Sequence, residues 1–450
     1  MSNKFTNKIN FIKKRYNQIF TIKSIKKFSN KKFIRNVITV ASGTAAAQAI
    51  TMLFSPIITR LYGPENYGVM GTFIAIIAIV TPIAALTYPT AIVLPKSDNH
   101  AKGIVRLSLY ITMAITIITA IVLFLFNQQI IELFNIETIS PYLFLIPVAI
   151  LLGGFLQVVE QWLIRTKQFR ITAQVSVIQA LIIHGGQAGL GYIHPVASVL
   201  VLFSAIKDGV KGSLMLLFSQ KGEQRLSFIP KDKTSVKKLA IYHKNFPLYR
   251  APQVFLNATS QSLPILMLTT FFGPVSAGLY SIGRTVLNIP STLIGKSVGD
   301  VFYPRISEAA NKGENLTKLI KKATITLAVV GILPYSLVVL LGPWLFTFVF
   351  GQDWTIAGEY ARWLSLWVFF MFINQPSIRA LLVLNAQSFH LKFTVLTLIT
   401  RVVALAIGYY FFSSDLLAIA LFGISGAILN LLLIFITLKF SEKFDRQRRK

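Results

Sequence analysis

The chain has 450 residues, of which 54% are hydrophobic and only 14% are charged, and its mean hydropathy is +0.63. A water-soluble protein of this length needs more charge to cover its surface, so the composition indicates a membrane protein. The formal net charge is +29, from 45 Lys and Arg against 16 Asp and Glu. We attribute this excess to cytoplasmic loops beside anionic headgroups, and we expect no nucleic-acid partner because no nucleic-acid motif is present.

The residue content also excludes several kinds of catalytic and metal site. There is no cysteine, and the five histidines form no pair at ligand spacing, so we expect no disulfide, no metal and no cofactor. Nucleophile and phosphate-loop motifs are absent as well. We therefore predict that the protein is not an enzyme and has no catalytic residues.

The chain begins with a basic arm, residues 1–35, which holds 11 Lys and Arg and is too basic for a cleavable signal peptide. Five apolar residues in it recur at spacings of three and four: Phe5, Ile9, Ile12, Tyr16 and Ile19. Such a stripe suits a helix that lies on the inner leaflet. A disordered basic tail is the alternative interpretation.

Twelve apolar segments follow the arm, each long enough for the ~20 residues that a bilayer-spanning helix needs. They are residues 36–58, 67–94, 105–126, 141–164, 171–191, 197–218, 248–272, 276–302, 323–350, 359–383, 392–413 and 416–438. The predicted fold class is therefore an all-α polytopic membrane protein with 12 transmembrane helices.

The loop charges predict the orientation of these helices. With the N-terminus inside, the seven cytoplasmic pieces hold 38 of the 45 Lys and Arg, as the positive-inside rule requires. We therefore expect a bacterial inner-membrane protein with both termini in the cytoplasm. The longest cytoplasmic loop divides the chain, which predicts an N-lobe (36–218, helices 1–6), a linker (219–247), a C-lobe (248–438, helices 7–12) and a basic tail (439–450).

The two predicted lobes share a Gly-Pro motif, which predicts a tight turn between antiparallel helices. Three residues after helix 1 recur after helix 7 at an offset of 210: Gly63, Pro64 and Gly68 match Gly273, Pro274 and Gly278. Each lobe has an even number of helices, so the repeats are parallel about an axis along the membrane normal, with a central cavity between them. This layout is typical of an alternating-access transporter.

Ionisable side chains within the predicted helices are costly unless they face protein or water, and most of them here are cationic. A cavity built for an anion explains them, while structural ion pairs and snorkelling side chains are the alternative. Two amides that share a helix face could bind a sugar or join helices. The substrate-binding candidates are Arg284, Arg401, Lys207, Lys211, Lys296, Arg250, Asn257 and Gln261, and the ion-coupling candidates are Asp208, Asp300 and Glu160.

Three parts of the sequence resemble a known family: IITRLYGPENYGVMGTFIAI with YPTAIVLPKSD, then NATSQSLPILMLTTFFGPVSAGLYSIGRTVLNIPSTLIGKSVGDVFYPRISE, then FVFGQDWTIAGEYARWLSLW. Over about residues 36–440 the chain resembles the O-antigen-type polysaccharide flippases of the multidrug/oligosaccharidyl-lipid/polysaccharide (MOP) exporter superfamily. The resemblance implies a V-shaped pair of six-helix lobes. It also implies a substrate of undecaprenyl-pyrophosphate-linked oligosaccharide, moved from the cytoplasmic to the periplasmic leaflet. The family offers no strict binding motif, so the site candidates rest on the charge argument alone.

The sequence therefore predicts a flippase that works by alternating access, with membrane lipids around it and a glycan polymerase and a chain-length regulator as candidate partners. Three alternatives remain. A cation-coupled multidrug exporter would be expected to place acids among its helices. A glycan polymerase or ligase would need a large outer loop, which this chain lacks. A non-catalytic scaffold of a glycan-assembly complex would need no binding cavity.

Overall fold

The structure is a computed structural model that describes residues 31–219, 236–291 and 296–449. The predicted arm up to residue 30 and most of the predicted linker thus lie outside the described residues. We call residues 31–219 the first half of the protein and residues 251–449 the second half. Within the described ranges, the chain forms helices joined by short turns, without strands.

The described residues contain fourteen α-helices. They are α1 (Lys31–Val80), α2 (Asp98–Phe134), α3 (Leu145–Arg165), α4 (Phe169–Ile193), α5 (Ala197–Phe218), α6 (Val236–Tyr242), α7 (Ala251–Phe272), α8 (Pro274–Pro290), α9 (Lys296–Asn311), α10 (Leu316–Phe350), α11 (Thr355–Ile373), α12 (Gln375–Val383), α13 (Gln387–Tyr410) and α14 (Asp415–Arg449).

Helix α1 contains predicted helix 1 and the first half of predicted helix 2. Its axis breaks at Gly63, whose φ of 70° lies in the left-handed region that glycine adopts without a steric penalty. Pro64 follows and cannot donate a backbone hydrogen bond, so the ladder of the first part ends there. The Gly-Pro pair therefore forms the turn that its sequence predicts.

The prediction of one helix over 67–94 is wrong at its C-terminal end. Helix α1 ends at Val80, and the chain continues in two 3₁₀ turns, Thr81–Ile83 and Tyr88–Ala91. Each turn has a proline near its start, Pro82 or Pro89, which lacks the N–H that an α-helix would need there.

Seven helical stretches among the described residues are long and apolar enough to cross a membrane: Thr39–Ile83, Asp98–Phe134, Leu145–Arg165, Leu316–Phe350, Gln352–Val383, Gln387–Tyr410 and Asp415–Arg448. Thr39–Ile83 has 45 residues, about twice the length of one crossing. The other predicted spans coincide with α4, α5, α7 and α8 (with α9), which carry more polar residues. The protein is thus an all-α, multi-pass membrane protein.

The buried apolar residues form separate clusters in the two halves. Phe73 and Ile150 belong to a cluster in the first half, and Tyr280 and Trp354 belong to one in the second half. Tyr67 packs against both clusters. The C-terminal part of α1 is therefore where the halves meet, while the lobe boundaries given above remain predictions.

The two copies of the Gly-Pro motif contact each other at one end of the protein, which we call the Gly-Pro end. Gly68 of α1 lies against the backbone carbonyl of Pro274, and Gly278 of α8 lies against the backbone carbonyl of Pro64. A side chain at either glycine would collide with the carbonyl opposite. The repeat thus places its glycines where the two halves come closest.

Hydrogen bonds also join the halves at the Gly-Pro end. The buried hydroxyls of Thr72 and Thr269 lie 2.5 Å apart. The indole N–H of Trp354 donates to the carbonyl of Thr59 (3.2 Å), and Arg60 donates to the carbonyl of Phe348 (2.7 Å). These contacts close the Gly-Pro end in this conformation.

The opposite end of the second half is fastened by the last turns of α14. The carboxylate of Asp445 accepts hydrogen bonds from the backbone N–H groups of Leu316 and Thr317, both at 3.0 Å, and from the Thr317 hydroxyl at 2.7 Å. Arg448 donates to the carbonyl of Ala310. The end of α14 therefore satisfies unpaired groups at the start of α10.

Candidate functional site

A cavity of about 550 Å³ lies inside the second half, between α7, α8, α11, α12, α13 and α14. Each helix contributes residues from one face only. Helix α7 contributes Asn257, Gln261 and Pro264 at spacings of four and three. Helix α8 contributes Arg284 and Asn288, and Ser291 follows directly after its last residue. The two amides predicted from the sequence thus line the same cavity as Arg284.

Helix α13 lines the cavity over much of its length. His390, Thr394, Thr397 and Arg401 follow one another at spacings of four, three and four, which places them on one face. The hydroxyls of Thr394 and Thr397 bond to carbonyls one turn back in their own helix. His390 and Arg401, at the two ends of this row, are therefore the side chains of α13 with most hydrogen-bonding capacity left for a ligand.

Arg401 is held in the cavity wall by aromatic rings rather than by a carboxylate. Its guanidinium carbon lies 4.9 Å from the centre of the Trp367 ring and 5.6 Å from that of Phe422. The Arg401 Nη1 approaches the Ser260 hydroxyl at 3.5 Å, and Nε is buried without a hydrogen-bond partner. Most of its five N–H donors are thus free for a ligand.

Arg284 lies close to Arg401 and is also without an acidic partner. Its Nη1 donates to the backbone carbonyl of Gln261 at 2.6 Å. None of the described ion pairs includes Arg284 or Arg401, and no Asp or Glu is among the described residues that line the cavity. Arg379 and His390 line it as well, so the described lining contains three arginines and no carboxylate.

Amide side chains supply most of the remaining polar lining. Asn288, Gln375 and Asn430 join the two amides of α7. Asn374, fully buried at the break between α11 and α12, donates from Nδ2 to Asn430 Oδ1 at 3.0 Å, while its own Oδ1 has no partner. A wall that mixes amide donors and acceptors suits a ligand rich in hydroxyl groups.

The charged candidates of the first half form a separate group on α3 and α5. Lys211 Nζ lies 2.7 Å from Glu160 Oε1 in an ion pair whose side chains are 22% and 33% exposed. Asp208 Oδ2 lies against Gly153 of α3, and Lys207 is its neighbour in the chain. Two cations thus accompany two acids, and this group, unlike the cavity, is balanced in charge.

Three other candidates are placed elsewhere. Arg250 is exposed at the end of the π-helical turn Phe246–Arg250, directly before α7, and does not line the cavity. Lys296 and Asp300 belong to α9, and their side chains lie outside the described part of the structure.

Sequence reasoning did not include Arg379, His390, Asn288 or Asn430 among the binding candidates, although all four line the cavity. The spacing of His390, Thr394, Thr397 and Arg401 on one helix face was the available signal. It is weak, because only Arg401 carries a permanent charge at mid-helix.

A bundle of apolar helices that surrounds an arginine-lined cavity defines a multi-pass membrane protein with the architecture of a transporter. Residues 57–359 match the family model described as polysaccharide biosynthesis protein. The chain belongs to this family.

Relatives in sequence and structure agree with this assignment. The chain is 23% identical over 328 residues to the succinoglycan biosynthesis transport protein ExoT of Rhizobium meliloti, a match that covers 70% of this chain and 61% of that protein. It superposes on an inward-facing multidrug resistance MATE family transporter of the MOP superfamily with a TM-score of 0.71 and 13% identity, covering 89% of this chain and 96% of the other. It superposes on the lipid II flippase MurJ in an inward closed conformation with a TM-score of 0.70 and 15% identity, covering 91% of this chain and 90% of the other. These likenesses show that the protein has the MOP exporter fold.

Proposed function

We propose that the protein is a flippase that moves undecaprenyl-pyrophosphate-linked oligosaccharide from the cytoplasmic to the periplasmic leaflet of a bacterial inner membrane. The carrying observation is the pair Arg284 and Arg401, two guanidiniums in a membrane protein without an acidic partner among the described residues. A charge at the centre of a bilayer costs about 3 kcal/mol or more. An anionic ligand that recovers this cost is the natural complement of the site.

A diphosphate linked to a glycan fits both parts of the cavity. Arginine binds phosphoryl oxygens through two parallel N–H donors, and the amides of Asn257, Gln261 and Asn288 can bind sugar hydroxyls. Acidic sugars of an O-antigen or another surface glycan would suit the same cations. The prenyl chain would remain in lipid.

The direction of transport follows from the loop charges and the closed end. If the basic loops lie in the cytoplasm, the Gly-Pro end is periplasmic, and the conformation described here is closed on that side. The cavity would then accept substrate from the cytoplasm before the halves rearrange. Asp208 and Glu160, with Asp300, stay candidates for coupling this rearrangement to a cation gradient, although Glu160 already pairs with Lys211.

The cavity favours the flippase over a cation-coupled multidrug exporter. An exporter of cations would need acids where this cavity presents Arg284, Arg379 and Arg401. A scaffold in a glycan-assembly complex would need no such cavity. A glycan polymerase and a chain-length regulator remain candidate partners in the proposed pathway.

The test is a deletion strain complemented with single variants. Arg284→Gln or Arg401→Gln removes the charge-assisted hydrogen bonds between one arginine and the diphosphate, which are worth about 1.5–3 kcal/mol. Substrate binding should therefore weaken by roughly 10- to 150-fold in each variant. We expect these strains to lose surface glycan and to accumulate lipid-linked glycan on the inner leaflet, with normal amounts of protein in the membrane.

Arg305→Gln is the matched control, because Arg305 pairs with Glu314 outside the cavity, and it should restore wild-type glycan. Wild-type glycan in both cavity variants would contradict the assignment of these arginines. A deletion strain without inner-leaflet accumulation would contradict the flippase itself.

A further inference from the structure

The cationic lining of the cavity is extended along α13 rather than concentrated at one point. His390 and Arg401 lie on the same face of this helix, eleven residues apart. At 1.5 Å per residue, that separation is about 16 Å along the helix axis. The two side chains therefore leave the helix about three turns apart, at different depths of the cavity.

Arg284 and Arg401 lie at one level of the cavity. Arg401 approaches the hydroxyl of Ser260, and Arg284 donates to the carbonyl of Gln261, so both guanidiniums meet α7 at consecutive residues. We call Arg284 and Arg401 the deep pair.

Arg379 and His390 lie at another level, near the short turn that joins α12 to α13. Arg379 is four residues before the end of α12, and His390 is three residues after the start of α13. Each is therefore about one helical turn from the same connection, and both line the cavity. We call Arg379 and His390 the entrance pair.

We propose that the cavity holds two successive anion stations, an entrance pair that first captures the diphosphate and a deep pair that holds it during translocation. The inference rests on the flippase proposed above, since it assigns a path to that substrate. The phosphates of a prenyl lipid lie at the headgroup level, where the helices of a membrane protein end. The entrance pair lies near such an end, whereas the deep pair lies near the middle of α13.

The two stations differ in their donor groups. The deep pair consists of two arginines, whereas the entrance pair combines one arginine with an imidazole, whose ring N–H can donate a hydrogen bond to an anion. Among the described residues, the charged groups that share the cavity with His390 are Arg379 on α12, Arg401 on α13 and Arg284 on α8. Helices α7 and α14 present Asn257 and Asn430, and Lys392 of α13 is exposed.

The experiment is a titration of the purified full-length protein with inorganic pyrophosphate by calorimetry at pH 7.5. Wild type should bind two pyrophosphates. Arg284→Gln/Arg401→Gln should keep one site, formed by Arg379 and His390, and should lose the other. Arg379→Gln/His390→Gln should likewise keep one site, formed by Arg284 and Arg401.

One site or none in wild type would overturn the proposal, and so would the loss of all binding in either double variant that keeps its thermal midpoint. The single variants Arg401→Gln and Arg379→Gln serve if a double variant does not fold, and each should weaken only one of the two sites. Failure here is distinguishable from failure of the flippase. A protein with a single pyrophosphate site can still clear lipid-linked glycan from the inner leaflet, and a two-site protein that never does so would refute the flippase alone.

Discussion

Substituting Gly68 by alanine should open the Gly-Pro end of the protein. A Cβ at this position would meet the backbone carbonyl of Pro274. That carbonyl belongs to the first residue of α8 and cannot rotate away as a side chain would. Overpacking of this kind costs about 1–3 kcal/mol, which corresponds to a shift of about 5- to 150-fold away from the closed conformation.

The cost applies to the closed state alone, because the contact joins the two halves. The effect of alanine on the helix itself, a gain of about 0.5–1 kcal/mol over glycine, is the same in both states and cancels. The substitution therefore changes a conformational equilibrium rather than the folding of α1.

A cysteine pair can report the closed state, since the native chain has no cysteine. Thr72 lies one turn after Gly68, and its hydroxyl lies 2.5 Å from that of Thr269. Thr72→Cys/Thr269→Cys should form a disulfide rapidly under mild oxidation, and mass spectrometry of the linked peptides gives its yield. Adding Gly68→Ala should slow the reaction in proportion to the loss of closed population, by at most the 5- to 150-fold that the packing cost implies.

Gly185→Ala is the matched control, because a Cβ there meets no atom within 4 Å, and it should leave the cross-linking rate unchanged. Gly278→Ala, the symmetric substitution, should act like Gly68→Ala. Equal rates in all these variants would show that the glycine contact does not determine closure of this end.

Three further predictions concern stability, measured as the thermal midpoint of the purified protein. Asp445→Ala removes three hydrogen bonds at the start of α10 and should lower the free energy of unfolding by about 2 kcal/mol. Glu442→Ala on the same helix, where the side chain does not make these bonds, should cost little. Equal losses of stability in the two variants would refute the capping role of Asp445. Lys211→Met leaves Glu160, whose side chain is 33% exposed, without its cation and should cost about 1–2 kcal/mol, because water partly screens the unpaired charge. Adding Glu160→Gln should restore most of the loss, whereas additive losses would count against the pair. The hydrogen bond and charge of Arg305 lower the pKa of Glu314, so their pair stabilises the protein above the ordinary pKa of Glu and loses this effect as pH falls through the lowered value. Glu314→Gln should remove that acid-side dependence and cost under about 1 kcal/mol at neutral pH, and an unchanged pH profile would refute it.

The sequence predicted the parts of the fold that depend on local composition. Apolar length located the helices, and the Gly-Pro motif predicted both the break at Gly63 and its counterpart at Gly273, because each turn needs a residue with positive φ. The end of helix 2 was predicted poorly. Ala84, Ala85 and Leu86 look helical by hydropathy, yet prolines on both sides divide this segment into 3₁₀ turns.

The candidate site could be predicted only in part, because charge at a position does not reveal which partner packs against it. Lys211 and Arg401 are both cations within apolar segments. Lys211 has an acid 51 positions away in the chain that folds against it, whereas Arg401 meets Trp367 and Phe422 instead. Only the packing of α3 on α5 and of α11 on α14 separates a structural ion pair from a cation free to bind a ligand.

This difference between the halves bears on how two related lobes could divide one task. In the first half, the described cations Lys207 and Lys211 lie among Asp208 and Glu160, so that region needs no ligand to balance its charge. In the second half, Arg284 and Arg401 have no such acids among the described lining residues. An anion held by Arg284 and Arg401 would therefore be bound within the second half and would not need the Lys211 group of the first half. The halves could then separate at either end without releasing it, and the Gly68–Gly278 contact could open without changing the arginines that hold the ligand.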